Sequence, residues 1–122
     1  MPTEPPPLTV FEAVKRACDI VDPDDDDAVI GDFEQAFEDD DEPIRAVGDI
    51  EERLSDTLAD LDPAANNGAL SMAAAIVVYL AFRRDELNGA PDELARLAAR
   101  SEWHGSPPEP VIEWLADRGI DS

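Results

Sequence analysis

The chain has 122 residues, the size of one domain and long enough to close a core without a disulfide or metal staple. Thirty Asp and Glu stand against nine Lys and Arg, a net charge of −21 with a pI near 4.1, which excludes phosphate binding by counterion release and attraction to anionic membrane surfaces. Hydrophobic residues still make up 43% of the chain, more than charge-driven disorder shows, so the charge coats a core instead of replacing one.

Residues 1–8 contain Pro5-Pro6-Pro7, no base and no apolar run, a pattern that predicts a short extended arm and no secretory signal. From residue 9 to 122 we expect a single helical domain. Sustained period-2 alternation is absent and apolar residues recur at three- and four-residue steps, so the predicted fold class is all-α, about six helices in an irregular bundle.

The first helix is expected from about Thr9 to Asp22, with Thr9 as N-cap, Glu12 completing a capping box, and Val10, Val14, Ala17 and Val21 on the core face. Cys18, the one cysteine, falls in this apolar stretch and reads as a buried, inert thiol. A second helix over about Asp26 to Asp39 would turn Val29, Ile30, Phe33, Ala36 and Phe37 inward. The third, about Pro43 to Leu61, begins with proline in its first turn and carries Val47, Ile50, Leu54, Leu58 and Leu61. Pro63 and Asn66-Asn67-Gly68 mark a turn. The fourth helix, about 69–87, is apolar around most of its circumference and is expected to be the axis of the bundle. Its Ala69/Ala73 and Ser71/Ala75 pairs suit close helix packing, within one chain or between two. Asn88-Gly89 ends it. A fifth helix opens at Pro91-Asp92-Glu93 with Leu94, Leu97 and Ala98 inward. Ser106-Pro107-Pro108-Glu109 offers a cap for a sixth helix that runs to about Arg118, with Val111, Ile112 and Leu115 inward and Gly119 at its end.

Charge is unevenly spread along the chain. Residues 1–62 hold 21 acids and four bases, residues 63–122 nine and five, and 22–42 carry 12 acids with no Lys or Arg at all. This segment marks Asp24, Asp25, Asp26, Asp27, Asp39, Asp40, Asp41 and Glu42 as candidate contacts for a basic protein partner. Asp22, Asp24 and Asp26 alternate like the first ligands of a calcium-binding EF-hand loop. Asp27 then stands where that loop needs glycine and Phe33 where it needs a bidentate glutamate, so no metal site is expected. One His and one Cys cannot furnish a transition-metal set either.

There is no nucleophile elbow, phosphate-binding glycine loop or C-x-x-C pair, and no cofactor is expected. His104 sits in a short connector and reads as a surface or capping group. The last two helices could be read as a helix-turn-helix, but Glu113 and Asp117 on the would-be recognition helix repel phosphates, leaving Arg118 as its cation. The enzyme alternative is a carboxylate and Mg²⁺ hydrolase of the nucleotide pyrophosphatase type, using Glu38-x-x-Asp41 and Asp49-x-x-Glu52. Trp103 and Trp114 are expected to close the core, and either one, if exposed, becomes a candidate protein contact.

Lysine is reduced to Lys15 while arginine appears eight times, and Asp outnumbers Glu 18 to 12. Short, strongly hydrated carboxylates suit molar salt, where screening over about 3 Å removes self-repulsion. In this respect, and in the stretches Phe33-Glu34-Gln35-Ala36-Phe37-Glu38-Asp39 and Val77-Val78-Tyr79-Leu80-Ala81-Phe82-Arg83-Arg84, the chain resembles small, acidic, uncharacterised all-helical cytoplasmic proteins of extremely halophilic archaea. The resemblance implies a compartment and a salt regime, and brings no activity or site residues with it. The expectation is a non-enzymatic interaction or regulatory protein, cytoplasmic, working through a protein partner or as a homo-oligomer, with no direct nucleic-acid or membrane binding.

Overall fold

Six α-helices and no β-strand occur among the described residues of the computed structural model, which are 9–24, 26–39, 50–63, 67–82, 90–104 and 106–120. They are α1 Val10–Val21, α2 Ala28–Ala36, α3 Ile50–Leu61, α4 Gly68–Phe82, α5 Pro91–Trp103 and α6 Glu109–Asp117. The fold is all-α. The arm at 1–8 and the stretch with Pro43 and Val47 lie outside the described residues.

Helix α1 starts where its cap chemistry places it. The Glu12 N–H donates to Thr9 Oγ1 at 3.1 Å, and the Thr9 hydroxyl donates to Glu12 Oε1 at 3.2 Å. Val10, Ala13, Val14 and Ala17 are fully buried. The last turn of α1 carries no base, so its terminal carbonyls need a cation from elsewhere. Arg118 provides it: one guanidinium nitrogen donates to the Ile20 carbonyl at 2.8 Å and another to the Val21 carbonyl. The same guanidinium lies 4.6 Å from the centroid of the Trp114 ring. Arg118 is therefore committed to the end of α1 and is not a free cation on a recognition helix.

Helix α2 stops at Ala36, three residues short of the expected Asp39. Its last turn holds no base, and Glu38 and Asp39 follow at the negative end of the dipole, which disfavours continuation. The chain instead tightens, with Phe37 N–H donating to Glu34 O and Glu38 N–H to Gln35 O, both at 3.2 Å. Phe37 still turns inward and meets Phe33 edge-to-face at 5.5 Å. Ala36, expected inward, is exposed.

The start of α4 rests on a relay through side chains. The Asp62 carboxylate accepts from the Asn67 N–H at 2.9 Å, and Asn67 Oδ1 accepts from the Leu70 N–H at 3.0 Å, which makes Asn67 the cap and Gly68 the first helical residue. Gly68 is required for packing: a Cβ there would lie 2.1 Å from the Pro110 carbonyl oxygen. At this point α4 meets the first turn of α6 backbone to backbone.

Helix α4 packs against each of the other five helices, which accounts for its nearly all-round apolar sequence. Leu70, Met72, Ala73, Ile76, Val77 and Leu80 have no solvent exposure. Residues 83–87, which the apolar pattern would add to this helix, lie outside the described residues. No described helix is long and apolar enough to cross a membrane.

The last two helices end as left-handed caps. His104 closes α5 at φ 51°, its N–H donating to Arg100 O at 2.9 Å. Gly119, at φ +69°, closes α6 in a Schellman motif: Ile120 N–H donates to Leu115 O at 2.9 Å and Gly119 N–H to Ala116 O at 3.0 Å. The expected Ser106 cap is not used. Pro108 occupies the N-cap of α6 with no side-chain bond, and the Ser106 N–H turns back to Trp103 O at 2.9 Å. Val111 and Leu115, four residues apart, define the buried face of α6. Ile112, rotated from Val111 by about 100°, was expected inward and is 48% exposed.

Candidate partner-binding groove

One stripe of α4 is incompletely covered. Ser71, Ala74 and Val78 are half-buried, and with Ala75 they occupy positions i, i+3, i+4 and i+7 of one helical face. Beside them runs the matching stripe of α3, Glu51, Leu54, Ser55 and Leu58, again at i, i+3, i+4 and i+7. The last turn of α5 supplies the other wall through Glu102 and Trp103. Together these residues line a surface groove of about 400 Å³.

The groove follows from side-chain size. Serine and alanine on α4 leave its floor low, while Leu58 and Trp103 at the sides remain half-buried. Leu58 and Leu61, expected to be core, pack against the buried cluster without being sealed by it. The stripe on α3 extends from Glu51 to Leu58, roughly 10 Å or two turns of helix. Its lining combines leucine, alanine, valine and tryptophan side chains with two serine hydroxyls and the exposed carboxylates of Glu51 and Glu102. Among the described residues that line it there is no Lys, Arg, His or Cys.

The two tryptophans do not share a site. Trp103 lines this groove, whereas Trp114 lines a shallow hollow with Gly68, Pro110 and Asp117. Both are half-buried and pack against the core, so neither closes it fully.

The acidic segment divides by role. The Asp22 carboxylate accepts from the N–H groups of Asp26 and Asp27, each at 3.0 Å. Asp27 is itself the N-cap of α2, its Oδ1 accepting from Val29 N–H at 3.0 Å and Ile30 N–H at 3.4 Å. Asp24, Asp26 and Asp39 are exposed. Asp25, Asp40, Asp41 and Glu42 lie outside the described residues. Part of this charge therefore serves local backbone needs, which the even run of aspartates conceals.

Among the described residues no group of three His, Cys, Asp or Glu side chains could hold a metal ion. Of the four carboxylates considered for an Mg²⁺ site, Glu38 and Glu52 are exposed on α2's trailing turn and on α3, while Asp41 and Asp49 lie outside the described residues. His104 is exposed at a helix end, and Cys18 is buried with its thiol 3.8 Å from the Ile30 carbonyl.

A scan of protein-family models and searches of curated proteins and of solved structures found no match to this chain. Ser71 and Ala75 were legible in the sequence as small packing residues. The stripe on α3 was visible as periodicity, but the sequence gives no sign that the space between the two helices is left open.

Proposed function

We propose that the chain is a non-enzymatic interaction module that acts through a protein partner, in the cytoplasm and at high salt. The observation that carries this reading is the position of Trp103, half-buried on the wall of a groove whose other lining residues are leucine, alanine, valine, serine and glutamate. A tryptophan presenting part of its ring to a low apolar floor is the kind of anchor at which binding energy concentrates. The salt-adapted part of the reading rests on the net charge of −21 and on the single lysine.

The test is capture at molar KCl from cells that make the protein, with wild type, Trp103→Ala and Trp114→Ala as baits. The expected result is a defined protein retained by wild type and Trp114→Ala and lost with Trp103→Ala, with all three baits folded by circular dichroism. Identical captures by wild type and Trp103→Ala would contradict the reading.

A further inference from the structure

We propose that the groove between α3, α4 and α5 is a seat for one amphipathic helix of a partner protein, a helix whose apolar stripe is flanked by lysine or arginine. This rests on the reading of the chain as an interaction module and specifies the occupant. The shape comes first. Two matching i, i+3, i+4, i+7 stripes, Glu51 to Leu58 and Ser71 to Val78, border a trough of about 400 Å³, which is how a helix-in-groove site presents itself to side chains repeating at the same spacing. The small residues on α4 let a third helix approach closely, and Leu58 and Trp103 grip it from the sides.

Charge selects the occupant. Glu51 on α3 and Glu102 on α5 both line the trough and are exposed, and Glu52 and Asp56 are exposed on the same α3. A helix seated there would set its flanking residues against these carboxylates. Lysine or arginine would form ion pairs; glutamate or aspartate would be left opposed to like charge. A second copy of this chain has nine Lys and Arg against thirty Asp and Glu, so it offers few basic side chains to pair with those carboxylates at contact. Molar salt shortens the reach of these forces to about 3 Å, so the selection operates through contact pairs at Glu51 and Glu102 and not through long-range steering.

The experiment uses the full chain in molar KCl and two synthetic helical peptides of about sixteen residues. Both carry leucine at i, i+3, i+4 and i+7; one is flanked by lysine and the other by glutamate. Binding is read from Trp103 fluorescence in a Trp114→Phe background and, independently, by calorimetry on wild type. The expected result is binding of the lysine peptide at least tenfold tighter than the glutamate peptide. Glu51→Lys combined with Glu102→Lys should invert that preference. Ala74→Leu, which raises the floor at a half-buried position, should weaken the lysine peptide at least tenfold with the melting temperature kept.

Equal binding of the two peptides, binding indifferent to Ala74→Leu, or no binding of the lysine peptide at millimolar concentration would overturn the proposal. If instead sedimentation shows a dimer that Ala74→Leu converts to monomer, the occupant is a second copy: the helix proposal falls and the interaction reading stands. The interaction reading falls separately if the Trp103-dependent capture fails as well.

Discussion

At the scale of single residues, three positions set local geometry that other residue types could not reproduce. Arg118 joins the last carbonyls of α1 to the end of α6 across 98 positions of sequence, and its two charged hydrogen bonds and the stacked Trp114 ring act together. Arg118→Ala should cost about 2 kcal/mol, and Arg118→Lys should restore only part of that because an ammonium cannot span two carbonyls in one plane; chemical denaturation measures both. Gly68 stands where the backbone of α4 abuts Pro110 in the first turn of α6. Gly68→Ala should lose about 2–3 kcal/mol, since the atom in the way is the Pro110 backbone oxygen and cannot rotate aside. His104 holds a left-handed conformation at φ 51°. Glycine there should raise stability by roughly 0.5–1 kcal/mol, while valine should lower it by more.

At the scale of helices, what the sequence makes legible are features closed within a few residues. The Thr9–Glu12 cap, proline in the first turn of α5 and the Gly119 terminator all involve positions two to five apart, and all form as the local chemistry requires. The shortened α2 was legible in principle, because carboxylates gather at the negative end of its dipole with no base among them. Asp27 shows that the acidic run is not uniform. Asp27→Ala should cost about 1 kcal/mol by removing the α2 cap, whereas Asp24→Ala, at an exposed turn, should be neutral within a few tenths. Contacts that join distant segments were not legible: nothing near Gly68 names Pro110, and nothing near Val21 names Arg118. The groove belongs to this second class. Its stripes on α3 and α4 can be counted in the sequence, but only the placement of α5 shows that no described helix fills the space between them.

At the scale of the whole molecule, charge and packing are arranged separately. The acids concentrate in residues 1–62, which contain α1 to α3, while the most apolar helix, α4, lies in the less charged half. A domain carrying −21 repels itself at low ionic strength, so the fold should loosen below a few tenths molar KCl and gain about 10 °C in melting temperature toward molar KCl. A melt insensitive to salt would remove the high-salt part of the reading and leave the groove untouched. For the groove, the most direct measurement is hydrogen exchange on the full chain at molar KCl, with and without the protein it captures from its own cells. Slowed exchange is expected in α3 from Glu51 to Leu58 and in the last turn of α5 around Trp103, with residues 22–27 unchanged; protection confined to residues 22–27 would overturn the assignment of the groove as the contact surface.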